Sequence, residues 1–415
     1  MRRQTWVRSV TPAMRAAAKQ SFATRRVPPE AMRTLVGGAV RPRSGDVVLA
    51  RVERLGQHKH IEQPHGRRSH LHVDDLVIVA YADRYATDQF ESYVPRHLGP
   101  VQLVASGGIA SQAQSRSRAV RAATDIVPIG LVGDESGRPI NVADFRLPMI
   151  DVPAIRPRTV AVLGTSMNAG KTTTMHYILH GLSKVGVRPG ATKVTGTGSG
   201  NDYWVMLDAG AHMMLDFTDA GLASSFRQPI PVLEDVMAQL VGHLSLGGCG
   251  VNLVEIADGV FQQENRRLLT SPIVHDLIDV VVLAASDAMG AAQGVRSLTE
   301  HGFDVVAVSG TLTRSPLAVR EAQEELGLPT LGIPELQDPQ VVAPLLGIDP
   351  SLVGEPEPIA APAWPIDLPG LEEAAVARDR EAGLAHAARV RVDDLEFVSS
   401  HELSRTRRQP SLVTP

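Results

Sequence analysis

The sequence predicts an α/β fold: a mostly parallel sheet covered by helices on both faces, joined to a smaller β-rich N-terminal domain. Two observations predict the larger part. Beyond residue 158, near-continuous apolar runs rich in β-branched residues alternate with amphipathic stretches, as parallel strands with right-handed helical crossovers require. One of these runs, Val160–Leu163, leads straight into a small-residue turn and then Gly170-Lys171-Thr172. A third observation predicts the smaller part. From Gly45 to about Asp83 the pattern changes to short alternating runs such as "DVVLARVERLG", the signature of a small antiparallel sheet or barrel.

The chain has 415 residues, 43% of them hydrophobic, which is enough for more than one core. Its formal net charge of −4 gives no general attraction to nucleic acid or to an anionic membrane. No run reaches the roughly 18 apolar residues of a membrane span. A single cysteine, Cys249, excludes an internal disulfide framework and fits a reducing, cytoplasmic setting. The expected protein is soluble and acts on a small molecule.

Residues 1–44 carry no acid before Glu30 and are expected to form an N-terminal helical arm; an Arg-rich transit segment is the alternative. Residues 45–150 make the β-rich domain, and "LVASGGIASQAQSRSRAV" within it reads as a strand end, a glycine turn and a polar helix start. The boundary falls in the turn-rich segment that includes Pro139 to Pro157. Residues 158–350 then supply strands at "TVAVLG", "PGATKVTG", "GVNLVEIA", "DVVVLAAS", "FDVVAVSG" and "PTLGI". Helices are expected at "GKTTTMHYILHGLSKVG", "PVLEDVMAQLVGHLS", "MGAAQGVRSLTEHG" and "SPLAVREAQEELG". Residues 351–415 read as a proline-rich connector, a helix near Leu371 to Arg389 and a disordered end.

The stretch "VAVLGTSMNAGKTTT" is the candidate nucleotide loop. Backbone N–H groups at a strand-to-helix turn, with the positive helix end behind them, form a nest for di- or triphosphate. Gly164 and Gly170 give the turn room; Thr165, Asn168, Ala169 and Thr173 complete its wall. Lys171 would reach the terminal phosphates and Thr172 would offer its hydroxyl to Mg²⁺. Five residues separate the two glycines, one more than the usual pattern, so Thr165 stands at the standard first position.

With that spacing, "GTSMNAGKT" resembles the P-loop NTPases of the dethiobiotin synthetase and cobyrinate synthetase group. The likeness continues to about Pro334 through "ATKVTGTGSG", "VNLVEIADG", "DVVVLAASDAMGAAQGV", "DVVAVSGT" and "LGLPTLGIPEL". It implies ATP and Mg²⁺ as cofactors, Lys193 as a second lysine meeting phosphate and substrate, Glu255 as the Mg²⁺ carboxylate, and a base-binding edge in the later strands. It also implies a homodimer. The stretch "GTSMNAGKTTT" with "MMLDFTDAG" is similar as well to the P-loop family containing D-glutamate N-acetyltransferases, although Thr197 stands where that family carries glutamine. The overall arrangement further resembles small-molecule kinases of nucleoside-antibiotic pathways.

Phosphoryl transfer needs a phosphate cradle, a metal carboxylate and a group that orients the acceptor. Thr172 and Glu255 are the candidate Mg²⁺ ligands, with Asp202 or Asp258 acting through water. The acceptor's proton has three competing destinations: Asp202, on the loop after the second strand, Asp216 and Asp219. Ser309 and Thr311 in "SGTLTRSP" follow a strand at the same edge and are candidates for base or ribose; Ser315-Pro316 reads equally as a helix start. Five histidines between His58 and His72 form either a metal pair or a solvated sheet face. The function these residues suggest is an ATP-dependent kinase acting on a hydroxyl. A carboxylate-activating ligase, an N-acyltransferase and a nucleotide-switched accessory protein are its alternatives.

Overall fold

The computed structural model describes residues 4–355 and Ile359. The C-terminal helix and tail expected from the sequence lie outside the described residues. Two sheets organise the rest.

The first sheet has ten strands. They are β1 (Trp6–Ser9), β2 (Lys19–Gln20), β3 (Thr34–Gly37), β4 (Val47–Arg54), β7 (Leu76–Tyr81), β8 (Arg84–Tyr85), β9 (Phe90–Tyr93), β10 (Val101–Ala105), β11 (Ile109–Arg116) and β12 (Thr124–Gly133). A separate two-stranded ribbon, β5 (His60–Glu62) with β6 (Arg68–His70), projects from it. The pairings β12–β4, β4–β7, β7–β11, β11–β10 and β10–β12 close on themselves, so five of the strands form a barrel. Closure gives each of these five strands a neighbour on both sides, while β1 and β8 end the sheet. Val48, Ala50 and Val52 point inward with Val79, Tyr81 and Leu103.

The alternate residues of the same strand, Val47 and Leu49, are also buried, and this corrects the expectation of a helical arm. They pack against Val27, Met32 and Leu35 of the first 37 residues. Among its described residues that segment contains one α-helix, α1 (Pro12–Ala17), with two short 3-10 turns, and contributes β1, β2 and β3 to the sheet. Its apolar residues cover the barrel's outer face, so it folds as part of the barrel wall.

The second sheet has six parallel strands in the order β15-β14-β16-β13-β17-β18. Their ranges are β13 (Arg158–Gly164), β14 (Pro189–Lys193), β15 (Met213–Asp216), β16 (Val251–Glu255), β17 (Val280–Ala284) and β18 (Val305–Ser309). Residues alternate between two cores. Val160 and Val162 face α2 (Lys171–Lys184) and α3 (Gly200–Asp208), whereas Ala161 and Leu163 face α4 (Ile230–Leu246), α5 (Gln263–Leu268) and α6 (Pro272–Leu277). The helices α7 (Ala288–Glu300) and α8 (Pro316–Leu326) flank β17 and β18, and α9 (Ile333–Leu336) and α10 (Pro339–Leu345) pack on α2. The expected α/β layering is present. Among the described residues no helix is long and apolar enough to cross a membrane.

Two details differ from the sequence reading. "PTLGI" makes a single bridge, Val308 with Thr330, because Pro329 lacks an N–H and a helix with Pro334 in its first turn starts at Ile333. The stretch after the second strand, read as a loop, is the helix α3. Its Ser199 cap makes no side-chain bond; instead Glu62 of the ribbon accepts from Gly200 N at 2.8 Å. A carboxylate 138 positions away thus supplies the cap.

Candidate functional site

The chain leaves β13 for β14 on one side, returns through β16, and crosses to β17 on the other side. The carboxyl end of β13 is therefore the point where strand order reverses, the usual crevice for ligands in open α/β sheets. The loop Thr165–Gly170 sits there, between β13 and α2. Gly170, with φ of 107°, turns the chain into the helix, and a Cβ on it would lie 2.9 Å from Gly310 Cα. Ala169 is fully buried, and its carbonyl accepts from Thr311 N at 2.9 Å. Thr165 N donates to Ala284 O at 2.9 Å. The loop is thus pinned from β17 and from the turn after β18. No side chain caps the first turn of α2, whose N–H groups face the loop.

Lys171 folds back across Gly164, where a Cβ would meet its Cγ at 2.8 Å, and its Nζ donates to Ser166 O at 2.9 Å. Thr172 Oγ1 donates to Glu255 Oε2 at 3.0 Å. Glu255, at the end of β16, also lies 3.5 Å from Lys193 Nζ at the end of β14. Lys193 in turn pairs with Asp202 in the first turn of α3. The structure thus brings Gly164, Lys171, Thr172, Lys193, Asp202 and Glu255 into one cluster. Asp258, three residues beyond Glu255, joins it electrostatically and makes no hydrogen bond or ion pair among the described residues.

The electrostatics are crowded. Burial pushes Lys171 below its ordinary value against the pull of Glu255 and Asp258. Burial would lower Lys193 too, but Asp202 and Glu255 beside it hold it above the usual lysine range. Asp258 is raised by burial, with Lys171 and Lys193 drawing it back down. Each shift reflects charge removed from water and compensated by a neighbour of opposite sign.

The remaining residues are placed elsewhere. Asp216, a candidate proton acceptor, is a correction: it is 3% exposed and bound by Arg25 Nη2 at 3.1 Å. Asp219 holds the same guanidinium at 2.6 Å, so both carboxylates belong to a packed ion cluster. Ser309 is 1% exposed, and its hydroxyl, donating to Leu331 O at 2.8 Å and meeting Thr174 Oγ1 at 3.3 Å, ties α2 to the sheet instead of facing a ligand. Thr311 meets the loop through its backbone. Thr173 is exposed, and Asn168, at the tip, donates to Asp88 Oδ2 at 2.9 Å. Among the described residues no three His, Cys, Asp or Glu side chains converge as a metal cage, the histidines of the ribbon included. Sequence reasoning missed Asp88 and its neighbour Arg84; nothing in "DRYATDQF" marks either residue, and the contact with the loop exists only after folding.

No protein-family model matches the sequence, and no curated protein does. Among solved structures, the chain is similar to the signal recognition particle 54 kDa protein from Aeropyrum pernix K1 in complex with GDP. The identity is 18%, covering 56% of this chain and 51% of that one, with a TM-score of 0.32. It is also similar to the signal recognition particle receptor FtsY from Elizabethkingia anophelis in complex with GDP (15% identity, 46% and 61% covered, TM-score 0.31). Cell division protein ftsY from Thermotoga maritima matches at 16% identity, 49% and 73% covered, with a TM-score of 0.30. The alignments span about half to three fifths of the first two proteins. Likenesses this remote carry no argument about activity, and the functional reading rests on the site's geometry.

Proposed function

We propose that this protein is an ATP- and Mg²⁺-dependent phosphotransferase that moves a terminal phosphoryl group to a hydroxyl of a small metabolite. The observation that carries the reading is the convergence of the Thr172 hydroxyl and the Glu255 carboxylate, 3.0 Å apart, beside the buried Lys171 of the strand-to-helix loop and the Lys193 that ends β14. One hydroxyl and one carboxylate suit Mg²⁺, which keeps several waters and takes its other ligands from phosphate oxygens. When bound, the ion neutralises charge on those oxygens.

The chain's own residues supply the rest. The uncapped first turn of α2 offers N–H donors to phosphate. Lys171 would exchange Ser166 O for a phosphate oxygen, and Lys193 holds a second positive charge at the same edge. Asp202 is occupied by Lys193, which weakens it as a proton acceptor. Asp258, raised by burial and unpaired among the described residues, is the better base for the acceptor hydroxyl.

The Lys193–Asp202 pair also favours a second reading. A carboxylate acceptor arrives without a proton to remove, so a ligase that forms an acyl phosphate, as the resemblance to dethiobiotin synthetases implies, needs no free base. Incubating the protein with ATP, Mg²⁺ and a metabolite panel separates the two. A product gaining one phosphoryl group supports the kinase; free phosphate with two substrates joined supports the ligase. ATP left intact with every metabolite rejects both.

A further inference from the structure

The strand β8 and the turn after it bring two charged residues of the N-terminal module toward the phosphate loop. Asp88 touches the loop directly through Asn168. Arg84, four residues earlier, is 7% exposed. Its Nη2 donates to Gln89 Oε1 at 3.2 Å, while Nε and Nη1 are buried without a hydrogen-bond partner. No carboxylate lies within ion-pair distance among the described residues, although the charges of Asp88 and, after it, Asp258 act on Arg84. Burial lowers the guanidinium to about 10, still charged at neutral pH.

A buried cation with two unmet donors is costly, because the N–H groups lose water and gain nothing in return. A single arginine-to-apolar change would relieve the cost, so stability alone does not explain the residue. The neighbourhood supplies another reason. Arg84 stands four residues before Asp88, which touches the loop through Asn168, and its charge is felt by Asp258, which also feels Lys171 and Lys193.

We propose that Arg84 binds an oxyanion of a ligand seated over the phosphate loop, completing its hydrogen bonds only when that ligand is present. The anion is either the terminal phosphate of a nucleoside triphosphate or an anionic group on the second substrate. Charge-assisted donors of this kind bind planar or tetrahedral oxyanions strongly and contribute most where charge grows during transfer. The proposal rests on the nucleotide-site reading above, and it makes the N-terminal module part of the site.

Calorimetry on the full chain tests it with three probes: Mg·ADP, Mg·AMP-PNP, and inorganic phosphate titrated into the Mg·ADP-saturated protein. If the terminal phosphate is the anion, Arg84→Met weakens AMP-PNP about tenfold to a hundredfold and leaves ADP unchanged. If the second substrate carries it, both nucleotides bind as before and the phosphate heat is lost. Thermal unfolding accompanies each variant, and the melting temperature of Arg84→Met is expected to equal or exceed that of the wild type. All three probes binding Arg84→Met as they bind the wild type overturns the proposal. So does a melting temperature that falls in Arg84→Met and recovers in Arg84→Lys, with all affinities in Arg84→Lys unchanged. Should the wild type bind neither nucleotide, the nucleotide reading fails separately. Phosphate titrated into the nucleotide-free protein then decides: binding lost in Arg84→Met upholds Arg84 as the receptor, and equal binding or none rejects it.

Discussion

Two buried charge clusters lie at the same edge of the parallel sheet, and they are built on opposite principles. Around Arg25, each charge has its counterpart: Nη2 meets Asp216 at 3.1 Å and Asp219 at 2.6 Å, Nη1 meets Thr218, and the guanidinium stacks over Phe22 at 4.1 Å and Tyr203 at 4.9 Å. Only Nε lacks a partner among its nitrogens. Around Lys171 the balance is incomplete, with Asp258 and Arg84 unpaired and Lys171 resting on a backbone carbonyl. The first cluster fastens residues 25 and 26 to the turn after β15, and so joins the two modules. The second gathers at the loop between β13 and α2, where Lys171, Thr172, Lys193, Asp202 and Glu255 converge. The charges of the first cluster are met almost entirely within the fold, and those of the second are not.

Breaking the staple should produce the largest change in stability. Arg25→Met strands Asp216 and Asp219 in the interior and is expected to cost about 3–5 kcal/mol, read as a lower urea midpoint. A loss under about 1 kcal/mol would erase the contrast between the clusters.

The next effect is an acid sensitivity near the open cluster. His58 is half-buried, and burial, with Arg84 adding to it, lowers its pKa from 6.5 to about 4. The folded state therefore keeps the ring neutral while the unfolded chain takes up a proton near pH 6.5. Stability from this group is complete above 6.5 and is lost as the pH falls toward 4, by about 2 kcal/mol after allowing for partial exposure. His58→Gln should flatten the pH profile of stability within that window; an unaltered profile would show that the ring is not held neutral.

The smallest effect concerns the link between the modules at α3. Glu62 Oε2 caps Gly200 N, and its Oε1 accepts from Ser106 Oγ at 3.0 Å. Glu62→Gln removes the charge at the helix N-terminus and should cost about 1 kcal/mol. Amide exchange in Gly200–Asp208 should quicken while the barrel strands are unchanged. Uniform quickening throughout the protein would deny the cap a local role.

These contrasts also explain what could be read from the chain itself. The loop Thr165–Gly170 was legible because its requirements are local: an apolar strand, a left-handed glycine and a helix start lie within a dozen residues. Lys193 and Glu255 were legible through the family resemblance of "ATKVTGTGSG" and "VNLVEIADG", and Glu255 also because it ends an apolar strand. Asp202 was found, but on a loop, because the carboxylate that caps its helix comes from a distant ribbon. Asp216 was misassigned for the same reason, since nothing near it in sequence announces Arg25. Arg84 gave no signal at all; its unmet donors are a property of burial. Residues 1–44 looked like a helical arm because their alternation is weak, and only the barrel's apolar outer face makes strands of them.

The central claim is that the main chain from Gly164 to Thr172 cradles the phosphates of a nucleoside triphosphate, with Lys171 supplying charge. Titrating Mg·ATP and Mg·GTP into the wild type and into Lys171→Ala by calorimetry tests it most directly. The account predicts binding of at least one nucleotide by the wild type, weakened at least about tenfold in Lys171→Ala, with little change in melting temperature. No heat with either nucleotide in the wild type, or equal affinity in the variant, would contradict it.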